Sequence, residues 1–314
     1  METSKTVILN DNLEANGGLK INHSNPYFRT QVIAGYDHYI DNLGRDAFGK
    51  VVFEEENMLL IGGSIFTLEK LFGVRSSLEV SQLSDVFTTM GLNKPSVWNG
   101  ASSAPHPENS TVCLFGVGTG GADESIASIH DVKYYQRNIS GMIPIRHVED
   151  DSILSPSDHD KYFCRSVNDG MISYYLKKFE NVTIECKWRD SDNEAEGSDV
   201  DADYYNTSDN NTTPIETYVQ ITLKISKDDV REYFEAMDEV ENIEKARINT
   251  IGLFVGVPKD LDTKINVEYD PATGETKQRT FDYDQVTCFS CLNFDNEMLA
   301  LPKDLTFIYR IFTK

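Results

Sequence analysis

Residues 215–225 contain a strict alternation of apolar and polar side chains, and this pattern most limits the folds open to the chain. The apolar members, each separated by one polar residue, are Val219, Ile221, Leu223 and Ile225. A second segment, 181–188, repeats the alternation with Val182, Ile184, Cys186 and Trp188. Because a period of two places successive side chains on opposite faces of a strand, each segment is predicted to be a half-buried β-strand.

Further strands are predicted where short runs of β-branched and aromatic residues are bounded by turn residues. These segments are 50–53, 111–117, 142–148, 248–255, 265–269, 277–283, 286–294 and 305–312. The turn sequence Asp270–Gly274 predicts a hairpin between two of them. Most connections are too short for a crossover helix, which favours antiparallel pairing. The sequence therefore predicts a β-rich α+β fold: an antiparallel β-sandwich or open barrel with a few packed helices and an extended N-terminal arm.

Three short helices are predicted among the strands. Ser64 can cap a helix over 65–72, and Gly73 can supply its left-handed end. Apolar residues at helical spacing predict a second helix over 78–90. The segment Ser226–Asp229 resembles a capping box and predicts a third helix with a buried face that extends to residue 240.

The domain prediction has two parts. Residues 1–50 show no sustained period and are predicted to form an extended arm that is ordered by packing on something else. Residues 51–314 are predicted to form one β-rich domain, interrupted by an insertion at 189–214. That insertion holds eight acids and one Arg. It cannot bury enough apolar surface to offset its ordering entropy, so a flexible hairpin tip is expected.

The charge balance excludes some classes of function. The chain has 29 Lys and Arg against 51 Asp and Glu, a formal net charge of −22. Such an acid excess disfavours gripping nucleic-acid phosphates and repels an anionic membrane surface. No run approaches the roughly 18 apolar residues of a membrane span, and the first residues lack the apolar core of a secretion signal. We therefore expect a protein made in a cytoplasm, with no specific nucleic-acid binding and no membrane partner.

The five cysteines are expected to be reduced thiols, since their number is odd and no secretion signal is present. Cys288 and Cys291 have the spacing of a metal knuckle or a redox motif. However, the chain has no second pair to complete a zinc site, and this pair lies in a predicted strand rather than at a helix start. Small buried hydrophobes are the preferred interpretation.

The segment Gly116–Gly121 follows a predicted strand and invites a phosphate-loop interpretation. Its spacing is not that of a dinucleotide fingerprint, and no Lys-Ser/Thr completes a P-loop. Tight turning of the backbone at a strand end is the preferred interpretation.

A degenerate calcium loop lies in the acidic insertion. Asp192, Glu194, Glu196 and Asp203 occupy positions 1, 3, 5 and 12 of a loop, with Gly197 at position 6. Glu replaces the usual residue at two places, Asp replaces the terminal Glu, and the flanks are predicted strands. These four residues form a weak candidate metal site; otherwise no metal or cofactor is expected.

No catalytic constellation is predicted. His130 beside Asp131, and His159 between Asp158 and Asp160, have the spacing of base–orienter pairs, but no nucleophile motif accompanies them. A pair of carboxylates for glycoside hydrolysis cannot be selected among 51 acids. The expectation is that the protein is not an enzyme and has no small-molecule substrate.

Two stretches resemble structural proteins of tailed bacteriophage virions. The segment 56–74 (ENMLLIGGSIFTLEKLFGV) is similar to an N-terminal segment of such proteins. The segment 246–254 (ARINTIGLF) resembles a strand of many virion proteins that precedes a hairpin, a strand like 286–294 and a last strand like 305–312. Together these stretches cover about a third of the chain, and the acidic insertion has no counterpart.

The resemblance implies a structural virion component without catalytic residues, most simply at the neck or head–tail junction as a connector, collar or tail-terminator protein. It implies homo-oligomerisation in a ring or array and docking to portal, adaptor, tail or capsid proteins, after assembly in the host bacterial cytoplasm. The arm at 1–50 and the strands after Ile248 are the predicted contact surfaces. Abundant Phe and Tyr suit large interfaces.

Three alternatives stay open. One is a polysaccharide-degrading or polysaccharide-binding β-protein that uses two acids. Another is a capsid-associated decoration protein, and the third is a calcium-dependent binding module built on the acidic insertion.

Overall fold

A computed structural model describes most of the strand-forming parts of the chain. The described residues are 12–13, 19–20, 28–42, 44–73, 110–123, 128–136, 138–148, 161–168, 171–179, 181–188, 215–236, 247–258, 264–270, 275–280, 283–298 and 304–313. The predicted helix at 78–90 and the acidic insertion at 189–214 lie outside the described residues.

Within those residues the chain forms seventeen strands and two helices. In the first half they are β1 (Asn12–Leu13), β2 (Leu19–Lys20), β3 (Phe28–Ile40), β4 (Asp46–Glu55), β5 (Met58–Leu59), α1 (Ile61–Phe72), β6 (Thr111–Gly118), β7 (Met142–Ile143), β8 (Arg146–Val148) and β9 (Tyr162–Asn168). They continue with β10 (Met171–Lys178), β11 (Asn181–Trp188), β12 (Ile215–Ile225), α2 (Arg231–Ala236), β13 (Arg247–Pro258), β14 (Lys264–Asp270), β15 (Glu275–Thr280), β16 (Tyr283–Met298) and β17 (Leu305–Thr313).

Two large sheets contain most of these strands. The first has five strands in the order β11-β12-β17-β3-β4. The second has eight strands and follows the path β5-β16-β13-β6-β10-β8, with β7 paired to β6 and β9 paired to β10. β14 pairs with β15 as the predicted hairpin. Every described pairing is antiparallel, as the short connections predict.

The apolar faces of the two sheets form one core. Ile221, Leu223 and Tyr309 of the five-stranded sheet belong to the same buried cluster as Ile251 and Leu253 of the eight-stranded sheet. Aromatic rings cross between the sheets, since Phe294 of β16 stacks on Phe53 of β4 at 4.8 Å and lies 6.0 Å from Phe307 of β17. The predicted β-rich sandwich with a few helices is therefore confirmed.

The eight-stranded sheet is buried on both faces. A second apolar cluster, which includes Leu114 of β6, Phe254 of β13 and Cys288 of β16, lies on the face away from the five-stranded sheet. This explains why 113–117 and 251–255 are runs of buried apolar residues and glycine without alternation, whereas β12 alternates.

The predicted N-terminal arm is wrong for residues 28–50. β3 lies inside the five-stranded sheet between β17 and β4, with Val32 and Ala34 fully buried. A bulge in β4, between the pairs Ala34–Phe53 and Gly35–Val51, breaks the period of two. Asp37, with φ of 53°, bends the strand further on. Within β3 the buried residues do alternate, but Thr30 on the buried face is polar and Ile33 on the other face is apolar, so the hydrophobic period is weak in the sequence. Of the remaining arm, the structure describes only the β1–β2 pairing.

Helix α1 begins three residues before the predicted cap. Leu60, not Ser64, precedes the first helical residue, and the Ser64 N–H donates to the Leu60 carbonyl. Gly63 allows α1 to lie directly on β16, because a Cβ at this position would collide with the Phe289 carbonyl. The predicted end is confirmed: Gly73 has φ of 62°, and its N–H donates to the Glu69 carbonyl.

Two other predicted elements differ from the structure. The strand predicted at 142–148 is divided into β7 and β8, with Pro144 in the gap. The helix predicted after Ser226 begins only at Arg231, because Val230 has φ of 57° and interrupts the preceding turns. Residues 237–240 of that helix lie outside the described part of the chain.

Candidate functional site

A cleft of about 1390 Å³ opens between the polar face of the five-stranded sheet and the segment that contains α2. Its cationic lining residues are Arg146, Lys161, Lys177, Lys178, Lys224, Lys227 and Arg231. Its acidic lining residues are Asp37, Asp46, Asp228, Glu232, Glu235 and Asp304. Seven cations against six acids make the lining nearly neutral in a chain whose net charge is −22.

Most of this charge is used in ion pairs within the cleft. Arg146 Nη1 lies 2.7 Å from Glu232 Oε1, Arg231 Nε lies 2.6 Å from Glu235 Oε1, and Lys224 Nζ lies 2.7 Å from Asp304 Oδ2. Burial raises the pKa of Glu232 in spite of the nearby Arg146 guanidinium. The cleft is thus a surface of paired charges and not a concentrated anion site.

The buried carboxylate of Asp229 holds several elements together at one end of the cleft. Asp229 accepts hydrogen bonds from the Lys177 ammonium at 2.6 Å, from the Tyr162 hydroxyl and from the Ser226 backbone N–H at 2.7 Å. The Asp229 side chain is fully inaccessible to solvent. Lys177 also donates to the Lys224 carbonyl at 3.1 Å. We call Asp229, Lys177, Tyr162 and Ser226 the Asp229 cluster.

The Asp229 cluster joins three strands to the turn that precedes α2. Tyr162 comes from β9, Lys177 from β10 and Ser226 from the end of β12. The hydrogen bond from the Ser226 N–H to the Asp229 carboxylate is the reciprocal half of the predicted capping box. Asp229 balances the charge of the Lys177 ammonium, and two acceptors fix its position. Lys177 therefore serves as a structural cation rather than as a nucleophile.

The histidine pairs of the sequence analysis are only partly present. His130 does not use Asp131. Its Nε2 lies 3.1 Å from Asp123 Oδ1 and its Nδ1 lies 3.2 Å from the Gly120 carbonyl. The hydrogen bond to the Gly120 carbonyl raises the pKa of His130 most, and the hydrogen bond to Asp123 raises it further. His159 lies outside the described residues.

A serine–histidine pair was not predicted. His147 Nδ1 lies 2.7 Å from Ser173 Oγ, across the β8–β10 pairing, and the His147 ring meets Tyr233 edge-on. Burial lowers the pKa of His147, so its imidazole is neutral at pH 7. Ser173 is buried in the middle of a strand, which makes its hydroxyl a partner for His147 rather than an exposed nucleophile. Only strand register brings the two residues together, and no sequence motif signals it.

The glycine run 116–121 serves close backbone packing. Gly118 faces the carbonyls of Ser140 and Gly141, where any Cβ would collide. The Gly121 N–H donates to the buried Asn249 side chain at 2.6 Å. Residues 119–123 and 128–136 contain no helix, so no helix N-terminus follows the run within the described residues.

Cys288 and Cys291 are free thiols buried in β16. A bulge between the pairs Leu253–Ser290 and Phe254–Cys288 places both cysteines in the apolar cluster on the outer face of the eight-stranded sheet. Burial raises the pKa of Cys291 to about 11 and raises that of Cys288 as well. The interpretation as small buried hydrophobes is confirmed by their burial.

Neither a metal-binding cluster nor a membrane-spanning helix occurs among the described residues. The candidate loop Asp192, Glu194, Glu196 and Asp203 lies outside them. Among the described residues no group of three His, Cys, Asp or Glu side chains is arranged to hold a metal ion. No helix in the described ranges is long and apolar enough to cross a membrane.

Strand β11 is an open edge of the five-stranded sheet. It pairs with β12 over all eight residues, and no described strand pairs with its other side. The alternation predicts that Val182 and Ile184 are buried, but they are 51% and 74% exposed. Val182 lies opposite the buried Ile221 and shares its face, so the other sheet does not extend far enough to cover β11.

The opposite edge, β4, differs in character. β4 contains a bulge, and its exposed residues include Lys50, Glu54 and Glu55. Bulges and charged side chains are the usual devices that prevent a strand edge from pairing with another chain. β11 has neither a bulge in its pairing nor a proline, and its charged residues Glu185 and Lys187 pair with each other on the polar face. We call the side chains of 181–187, together with the backbone side of β11 that no described strand pairs, the β11 edge.

The contact surfaces predicted from the resemblance do not coincide with this edge. β13 and β17 are central strands, and their described side chains are almost all buried, so they face the core rather than a neighbour. The arm prediction fails for residues 28–50, as described above. No protein-family model, curated protein or solved structure matches the chain.

Proposed function

We propose that this protein is a structural component of a tailed-bacteriophage virion that acts by homo-oligomerisation and subunit docking. The observation that carries the proposal is the β11 edge, a full-length edge strand with two exposed β-branched apolar side chains and no protective bulge. Such an edge is a ready template for pairing with another chain. In a soluble monomer it would be a liability, whereas in an assembly subunit it is an interface.

The position in the virion follows from the sequence resemblance. The two resembling stretches correspond to β5 with α1, and to β13, β16 and β17. β13, β16 and β17 lie inside the two sheets and α1 packs on β16, so the likeness concerns the scaffold rather than a surface loop. On this basis the protein is a neck or head–tail junction protein, a connector, collar or tail terminator, with portal, adaptor, tail or capsid proteins as partners.

The proposed mechanism is mechanical and non-catalytic. Subunits bury complementary surface and lock their neighbours in register. The net charge of −22 suits a surface that faces packaged DNA without holding it, because like charges repel the phosphates.

Mass spectrometry of purified particles tests this function directly. We expect the protein in mature virions at a fixed multiple of the portal or tail-terminator copy number. Light scattering of the purified protein should give a mass of two or more subunits. A protein that stays monomeric at its highest soluble concentration and is missing from mature particles would contradict the proposal.

A second candidate function has one observation in its favour. Burial raises the pKa of Glu232 in the cleft, which is the property of a general acid, and the exposed Asp228 lines the same cleft. A pair of carboxyl groups is what a polysaccharide-degrading protein needs. Assays on cell-wall and capsule polymers with Glu232→Gln, and with Glu235→Gln as the matched control, distinguish this candidate: turnover lost only in Glu232→Gln would favour it.

A further inference from the structure

The β11 edge has a sequence that can pair with itself. Val182, Ile184 and Cys186 share the face of the apolar core, while Thr183, Glu185 and Lys187 share the opposite face. On that polar face Glu185 lies 2.9 Å from Lys187 Nζ and accepts a hydrogen bond from the Tyr218 hydroxyl at 2.9 Å. Burial alone would raise the pKa of Glu185, but these hydrogen bonds outweigh it and lower the pKa.

We propose that β11 pairs antiparallel with β11 of a second copy of this chain, with Ile184 opposite Ile184. This inference rests on the proposed assembly function and names a surface that joins two subunits into a dimer. The pairing joins two five-stranded sheets into one sheet of ten strands. It packs the side chains of Val182 and Ile184 beside apolar side chains of the second copy, and it gives partners to the backbone groups of β11 that no described strand pairs.

Side-chain chemistry selects this register. In it Val182 lies opposite Cys186, Thr183 opposite Glu185, and Asn181 opposite Lys187. Apolar residues therefore meet apolar residues on one face, and no like charges meet on the other. A shift by one residue would place the apolar set against the polar face.

The two neighbouring even registers are poorer. One places Glu185 directly opposite Glu185, which is repulsive. The other pairs only residues 181–185, so Cys186 and Lys187 lose their partners. The second copy is a better occupant than the β4 edge of a neighbour, because β4 has a bulge and the charges Lys50, Glu54 and Glu55. The contact is a two-fold, isologous one, so assemblies built from it contain an even number of subunits.

The native Cys186 allows the register to be read chemically. Directly opposed residues of an antiparallel pair have Cα atoms within the range that a disulfide spans. We therefore expect Val182→Cys to form a covalent dimer with Cys186 of the second copy under mild oxidation. The wild-type chain gives the background, and Cys186→Ser added to Val182→Cys should abolish the dimer.

Two matched variants separate this register from its neighbours. In the Cys186→Ser background, Ile184→Cys should form a dimer through its own counterpart. Thr183→Cys, also exposed but on the polar face opposite Glu185, should not. Peptide mapping that finds a 182–186 disulfide supports the register; mapping that finds a different pairing, or no disulfide above background, overturns it.

A charge variant separates this inference from the proposed function. Ile184→Lys should convert the dimer to monomer in light scattering, while Val51→Lys, on the β4 edge, should not. If the wild-type protein is oligomeric and present in virions but Val182→Cys forms no disulfide, then β11 pairing is wrong and the assembly function stands. If the wild-type protein is monomeric and missing from particles, both proposals fail.

Discussion

At the Asp229 cluster, three hydrogen bonds converge on one carboxylate that solvent cannot reach, whereas along the β11 edge none of the described side chains is buried. In the Asp229 cluster the hydrogen-bonding groups are paired with one another inside the subunit. Along the β11 edge, two β-branched apolar residues and one backbone side have no partner among the described residues. The difference teaches that the polar residues of the cleft stabilise the fold, while the capacity for new contacts lies at the sheet edge.

Removing the charge of Asp229 should give the largest effect. Asp229→Asn leaves the Lys177 ammonium buried without its counter-ion, and breaking one side of a buried pair costs about 3–5 kcal/mol. Urea unfolding measures this change in the free energy of unfolding. The matched control is Asp228→Asn, an exposed neighbour that should change stability by no more than about 0.5 kcal/mol. Equal losses of stability in the two variants would show that the Asp229 cluster does not stabilise the fold.

Thiol reactivity should separate the interior from the edge. The pKa of Cys291 is raised to about 11 by burial, whereas Cys186 on the β11 edge is exposed. Because only the thiolate reacts, an alkylating reagent at pH 8 should modify Cys186 more than about 100-fold faster than Cys291 at a concentration where the protein is monomeric. Peptide mapping over a time course gives both rates. Comparable rates in the native protein would place β16 at the surface, and denaturant should abolish the difference.

Much of the fold follows from the sequence, but the part that depends on distant neighbours does not. The alternation in β11 and β12 predicts both strands correctly, yet it predicts burial for Ile184, which is exposed. Alternation shows which face of a strand is apolar. Whether another sheet covers that face depends on how far the other sheet extends, and that is a tertiary property.

The candidate regions show the same limit. The capping pattern predicts the local hydrogen bond from Ser226 to Asp229, three residues apart. It cannot predict Lys177 and Tyr162, which lie 52 and 67 residues away in sequence and reach Asp229 through strand pairing. Likewise, the Ser173–His147 contact depends on register across β8 and β10. In β3, the polar Thr30 on the buried face and the apolar Ile33 on the other face weaken the hydrophobic period that would have revealed the strand.

Acidification should lower the free energy of unfolding through His147. Burial lowers the pKa of His147 in the folded protein, so the unfolded chain binds a proton more readily. The stability contributed by the neutral imidazole is present above the unfolded pKa of about 6.5 and is lost as the pH falls below it. Urea unfolding between pH 8 and pH 5.5 should show a decline that His147→Gln reduces. An unchanged pH slope in His147→Gln would assign the decline to other groups.

The smallest change in stability should come from the β11 edge, and this result would sharpen the comparison most. Ile184 is 74% exposed, so Ile184→Thr removes little buried surface from the subunit and should alter the free energy of unfolding by no more than about 0.5 kcal/mol, measured where the protein is monomeric. Ile221→Thr is the matched control: Ile221 belongs to the same apolar face but is buried, so the same polar replacement should cost several times more. Light scattering should rank the variants in the opposite order, because only Ile184→Thr weakens the proposed contact between copies. If Ile184→Thr destabilised the monomer as strongly as Ile221→Thr, the edge would belong to the core of its own subunit and would not be free to pair with another.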